Sequence, residues 1–271
     1  MKILYRLRDL WNYRELIRNL VVRDLKVRYR HSVLGIAWSW ANPLLMMLVY
    51  TMVFNFLAGR SDLPNFHVFV FCALLPWNFF AASVGGATAS IVGNAHLIKK
   101  VYFPREILPI SIVLSNLVNF VIALPVLFGL ALVSGAPITK WVLLLPIPIL
   151  VQTIFTVGFC LFLATLNVFY RDTQIIMGVL MMAWLFVTPI FYPISQVPQE
   201  AEILGITFNA QLWLNRLNPM ASIVASYQDL LYRGSPTSLD FLLRTAVTAL
   251  IVLVAGYLVF LYYSPRFGEE V

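Results

Sequence analysis

The chain has 271 residues, of which 61% are hydrophobic and only 11% charged, with a net charge of +7. A soluble domain carries about 25% charged residues, and no single core could hide this many uninterrupted apolar runs, so the composition excludes an ordinary soluble domain. Cys72 and Cys160 both fall inside apolar stretches and read as small buried hydrophobes, which suits neither a disulfide framework nor a metal cluster.

In chain order, the basic, aromatic-rich start predicts no cleavable signal peptide. Residues 14–30 then predict an amphipathic helix. Ile17, Leu20, Val21 and Leu25 recur at helical spacing, while Arg14, Arg18, Lys26 and Arg30 gather mostly on another face. Such a helix lies in the membrane interface, either as a passive anchor or in contact with head groups or a partner. Lys26, Arg28 and Arg30 are candidates for meeting lipid phosphates through charge-assisted bonds, although topology and anchoring account for them equally well. Ser32 to Gly35 turn the chain into the bilayer, Gly35 allowing the bend.

A span needs about 20 mostly apolar residues. Six runs qualify: 34–56, 66–92, 107–133, 141–166, 173–192 and 245–263, and none contains Asp, Glu, Lys or Arg. Between the second and third, residues 94–106 are too polar to span and too apolar for a solvated linker. Leu97, Ile98, Val101 and Phe103 give that segment a sticky face, and Pro104 fixes the start of the next helix. Lys99, Lys100 and Arg105 are either positive-inside charges or part of a docking knob. After the fourth span, Phe169 to Asp172 form a second corner. Residues 195–235 read as short external helices broken at Pro219, dipping partway into the membrane in the protein's own shelter, or as an ordinary external loop.

Basic residues set the orientation. Fourteen of the 19 lie on the side of residues 1–32, and five (Arg60, Lys140, Arg216, Arg233 and Arg244) on the other. The rich side is predicted to be cytoplasmic, with both termini there. The basic charge is thus a topology signal, and nucleic acid is unnecessary. The predicted fold class is an all-α membrane protein of six transmembrane helices, with an N-terminal interface helix and external re-entrant helices. Its parts are a cytoplasmic segment (1–33), a transmembrane domain (34–264) and a cytoplasmic tail (265–271).

Ion-coupled transport typically needs an intramembrane carboxylate or other polar ion site, and the spans hold no charged residue. An embedded enzyme would need a nucleophile, acid–base pair or metal cluster, yet His31, His67 and His96 lie far apart near predicted span ends. A permease driven from outside needs only a shaped path and a coupling surface. No phosphate-binding loop of the G-x-x-x-x-G-K-[ST] type occurs, so this chain does not itself offer the usual cradle for ATP phosphates, and no cofactor is expected on it. Most of the Trp, Tyr and Phe suit interfacial belts. Tyr50 and Phe54 in the first span and Trp184 in the fifth sit within or toward the ends of their spans, and such aromatic faces are candidates to line a path without putting a charge in it.

An ordered set of motifs carries a resemblance: Arg23–Tyr29 (RDLKVRY), Ser32–Gly35, Trp38–Pro43, Tyr102–Pro109 (YFPREILP), Asn167–Asp172 (NVFYRD), Thr188–Pro193 (TPIFYP) and Asn218–Met220. In this order the chain resembles the membrane subunits of the second class of ATP-binding-cassette exporters, above all permeases for O-antigen, capsular polysaccharide and teichoic acid. The resemblance implies a homodimer with a pore between its copies and a nucleotide-binding ATPase subunit below each, two in all, with ATP and Mg on that partner subunit. It implies a coupling helix at about 95–105, with Leu97, Ile98, Lys99, Lys100, Val101, Tyr102, Phe103 and Arg105 facing the ATPase. The segment at 14–31 would adjoin the place where a lipid-linked glycan of the undecaprenyl-diphosphate type comes in. Spans one and five would line the pore, and paired re-entrant helices at 195–235 would close its outer mouth. The bacterial cytoplasmic (inner) membrane is the implied location. A drug, antibiotic or lipid exporter of the same class is the alternative cargo reading.

Overall fold

The structure is a computed structural model, and it describes residues 11–30, 35–56, 63–203 and 206–271. His31, Ser32–Leu34, Arg60 and the basic residues before Trp11 lie outside the described residues.

Among the described residues the chain is helical apart from one small hairpin. Helix α1 covers Arg14–Tyr29, α2 Trp38–Phe56, α3 Phe66–Gly93, α4 Ala95–Lys100 and α5 Ile107–Val133. Then follow α6 (Pro146–Phe169), α7 (Thr173–Val187), α8 (Ala210–Leu217), α9 (Pro219–Gln228), α10 (Leu239–Tyr263) and α11 (Phe267–Glu270). Four helical stretches are long and apolar enough to cross a membrane: Phe66–Gly93, Ile107–Val133, Lys140–Phe169 and Asp240–Glu270. Helices α2 and α7 are apolar but shorter.

Two boundaries differ from the sequence reading for definable reasons. Helix α7 stops at Val187, short of Tyr192, because Pro189 disfavours helical backbone at the residue before it; Thr188 is extended, at φ −86° and ψ 134°. Helix α10 begins at Leu239, ahead of 245: Asp240 and Arg244 are excluded from a hydrocarbon span by charge, but nothing stops a helix from continuing through them. The hairpin pairs Glu200–Ile203 with Ile206–Asn209 in antiparallel register and was not anticipated.

Helix α3 is the axis of the bundle. Every residue from Val68 to Trp77 is buried, so it is apolar all round and enclosed all round. Of its apolar window 78% is buried, against 22% for Asp240–Glu270, which places α10 at the periphery. Helices α6 and α10 cross at backbone contact through two glycines. A Cβ on Gly256 would stand 2.0 Å from the Gly158 carbonyl oxygen, and one on Gly158 would stand 2.4 Å from Leu253 Cα. Small residues permit such approach where no hydrophobic force pulls helices together in lipid.

A second, separate core closes one end of the bundle, called here the basal end. Leu20 of α1, Ile98 of α4 and Phe267 of α11 meet Ile107, Leu108, Val168 and Phe260 there. On α1, Leu16, Ile17 and Leu20 pack on this core. Asp24 of α1 accepts a 2.6 Å hydrogen bond from Ser115 of α5. Residues 264–270 likewise form a packed element, Phe267 being fully buried. His67 stands at the opposite end, where its Nε2 is 2.6 Å from the Ser134 hydroxyl.

Candidate functional site

The eight residues expected to face a partner at the basal end divide into two groups. Ile98 is buried, Leu97 and Phe103 are half-buried, and Arg105 donates to the Ser264 carbonyl, so these four hold the segment to the bundle. Lys99, Lys100, Val101 and Tyr102 face outward. Helix α4 ends at Lys100, and the extended backbone of Val101 after it (φ −128°, ψ 134°) throws the next residue away from the bundle. Tyr102 is consequently 96% exposed, a large aromatic side chain with almost no contact to its own chain. A groove of about 440 Å³ runs beside it, between Tyr13, Phe103 and Pro265. Glu106, buried at the N-cap position of α5, places a carboxylate at the positive end of that helix.

The three basic residues assigned to lipid head groups do not act from one face. Lys26 and Arg30 line a shallow hollow with Arg23. Arg28 points elsewhere, pairing at 3.7 Å with Asp24 and bordering a different pocket among α1, α2, α3 and α5. Spacing explains the split, since residues two apart on a helix point in nearly opposite directions.

The aromatic candidates are also divided. Tyr50 and Phe54 both pack on Phe191, at centroid distances of 4.5 and 4.8 Å. Trp184 lies in another cluster, edge-on to Trp77, Phe80 and Phe159. Phe191, only 2% exposed, is the hub joining α2 to the segment after α7, and the sequence reading passed over it. Its signal was the prolines on both sides, Pro189 and Pro193, which hold the ring-bearing segment out of helix. Beyond these rings, α2 and α7 present exposed apolar side chains, among them Leu48, Val49 and Met52 on one and Ile175, Val179 and Met182 on the other.

Helix α9 is sheltered inside the bundle, with Met220 to Val224 and Ser226 to Gln228 all buried. Its start is built by Asn218, whose Oδ1 accepts from the backbone N–H groups of Met220 and Ala221 at 3.1 and 3.2 Å. The same oxygen accepts from Trp184 Nε1 at 2.8 Å, and Nδ2 donates to the Thr188 hydroxyl at 3.1 Å. Pro219 follows at the first helical position, where its missing N–H costs nothing. At the far end of α9, Tyr227 donates to Gln152 Oε1 at 2.9 Å, and Gln152 donates to the Pro76 carbonyl at 2.7 Å. Beyond α9, burial raises the Asp229 carboxyl pKa, an effect partly offset by Arg233 at 2.8 Å. Asn218→Ala is expected to lower stability by about 2 kcal/mol, from the lost cap and the orphaned indole N–H. Thermal unfolding in detergent checks this, and an unchanged melting temperature would remove the network from the account of α9.

A bundle of long apolar helices enclosing a buried half-length helix, with a projecting loop at one end, belongs to the class of membrane-embedded helical proteins. A family profile described as ABC-2 type transporter matches residues 15–232, and the chain belongs to that family of multi-pass membrane proteins. It is 38% identical to the O-antigen export system permease protein RfbA of Myxococcus xanthus, over 97% of this chain and 98% of that one. It is 34% and 33% identical to two Klebsiella pneumoniae proteins of the same name, in each case over 99% of this chain and 98% of the relative.

Proposed function

We propose that this chain is the transmembrane permease subunit of an ATP-driven exporter that carries a lipid-linked polysaccharide of the O-antigen kind across the bacterial cytoplasmic membrane. The observation that carries this reading is the end-to-end similarity to export permeases, extending over 97% of the chain in the first comparison. In this reading the four long helices together with α2 and α7 make six crossings. The basal end faces the cytoplasm, in keeping with its excess of Lys and Arg. Two copies associate through the exposed apolar faces of α2 and α7, with the path for the glycan between them. Lys99 to Tyr102 enter a groove on a separate ATPase subunit beneath each copy, and α9 with α8 closes the outer mouth.

The test is to co-express the chain with its candidate ATPase, reconstitute the complex in nanodiscs, and measure vanadate-sensitive hydrolysis with and without lipid-linked glycan. A complex with two copies of each subunit, stimulated by glycan, is the expected result. Hydrolysis indifferent to glycan would replace the cargo with a drug or another lipid. No association with any ATPase would overturn the transporter reading.

A further inference from the structure

At the end of the bundle opposite the basal core, a hollow of about 470 Å³ lies between α8 and the start of α10. Arg216 of α8 lines it, with Asp240, Phe241 and Arg244 of α10 and the carboxamides of Asn209 and Gln211. Its wall is tied down. Asn209 Oδ1 accepts from the backbone N–H of Leu212 at 2.9 Å, and Gln211 Nε2 donates to the Val197 carbonyl at 2.6 Å. The Arg244 guanidinium rests on the Phe241 ring, 4.9 Å from its centroid. Arg216 and Asp240 are exposed and Arg244 is half-buried, so a ligand can reach all three. The hollow offers two positive groups and one negative.

Its depth follows from what comes after it on α10. Arg244 is the last charged residue before residues 245–263, which contain no Asp, Glu, Lys or Arg, so it stands where hydrocarbon gives way to head groups. Val247, Ile251 and Leu258 continue its stripe along the helix, 55%, 62% and 48% exposed, while α10 packs chiefly on α6 and α9. On α8, Leu212, Trp213 and Leu217 are exposed beside Arg216, as apolar and indole groups at a membrane interface are.

We infer that this hollow holds the head group of a zwitterionic phospholipid with a primary amine, of the phosphatidylethanolamine kind, in the leaflet away from the basal end. The phosphate lies between Arg216 and Arg244, the ammonium meets Asp240, and an acyl chain follows Val247, Ile251 and Leu258. Guanidinium–phosphate and ammonium–carboxylate contacts are both charge-assisted hydrogen bonds. Charge matching selects this head group. A purely anionic lipid would satisfy the arginines but bring no cation to Asp240. A quaternary amine carries the charge but has no N–H to donate. The site lies apart from the hollow on α1 that Lys26 and Arg30 share. It depends only on α10 crossing a bilayer, whatever the exported cargo.

The full-length chain, stripped of lipid in detergent, would be titrated with phosphatidylethanolamine, phosphatidylcholine or phosphatidylglycerol of identical acyl chains. Native mass spectrometry then reads the dissociation constant of the first lipid bound. Phosphatidylethanolamine is expected to bind about tenfold more tightly than phosphatidylcholine, the worth of one charge-assisted hydrogen bond, and more tightly than phosphatidylglycerol. Asp240→Asn should erase the preference over phosphatidylcholine and turn the order in favour of phosphatidylglycerol. Arg216→Gln, at an exposed position, should weaken all three lipids about tenfold. Melting temperature checks that both variants fold. Equal binding of phosphatidylethanolamine and phosphatidylcholine, tighter binding of phosphatidylglycerol by the unaltered chain, or a preference that Asp240→Asn leaves intact would overturn the inference. So would undiminished binding by Arg216→Gln. No arm of the experiment reads export, so its failure leaves the proposed function standing.

Discussion

Gly256→Ala is expected to cost at least about 3 kcal/mol and to leave little folded protein after extraction. The added methyl would lie 2.0 Å from the Gly158 carbonyl oxygen and 2.9 Å from the Gly158 carbonyl carbon. Both are backbone atoms of the facing helix, so no rotamer change relieves the contact; α6 and α10 must move apart along their whole crossing. Gly158→Ala should behave in the same way, because its methyl meets the backbone of Leu253 and Val252. Gly129→Ala is the control. It lies within a helix with nothing within 4 Å of the added atom, and should be neutral or slightly stabilising. Yield of monodisperse protein and melting temperature in detergent separate these outcomes. Equal behaviour of Gly129→Ala and Gly256→Ala would mean that α6 and α10 do not touch as described.

Under the proposed function, Val101→Ala combined with Tyr102→Ala is expected to weaken assembly with the ATPase subunit roughly 30-fold or more and to depress export, while the melting temperature of the isolated chain stays unchanged. The reason is the division within the loop. Val101 is 55% and Tyr102 96% exposed, so their removal takes nothing from the chain's own core. Phe103→Ala would be uninformative, since Phe103 packs on the basal core and its loss would unfold the loop as well as unseat it. Association measured with purified subunits reads the effect directly. Full-strength association would move the docking surface to Lys99 and Lys100 or away from this loop.

Hydropathy made the long helices legible because a continuous apolar run has one physical outcome. Residues 66–92 and 107–133 anticipated α3 and α5 to within a residue, while 141–166 anticipated α6 (Pro146–Phe169) less closely, because Lys140–Leu144 form a tighter helical stretch before it. Legibility failed where the outcome depended on a neighbour. The stripe on α1 was readable as apolar, but nothing in its spacing says whether lipid or α5 covers it. Lys26, Arg28 and Arg30 looked like one cluster along the chain, and the helix sends them to different faces. The pocket among α1, α2, α3 and α5 escaped notice because the carboxamides that line it, Asn42, Asn78, Asn116 and Asn119, are single polar residues scattered over three apolar helices, each unremarkable alone. Phe191 stood in plain view between Pro189 and Pro193, but its part as a hub depends on Tyr50 and Phe54 of α2 packing on it, which chain order does not show.

The junction between Arg105 and the Ser264 carbonyl joins residues 159 apart in the chain. Synthesis is directional, so Ile98 and Arg105 leave the ribosome long before Phe267 and the carbonyl that receives Arg105 exist. Until then the basal core lacks Phe267, and the loop beneath it has no clasp. Contacts separated so widely form late. The chain therefore cannot present a clasped loop while it is still being inserted, and under the proposed function a partner that binds only the clasped loop would ignore nascent permeases.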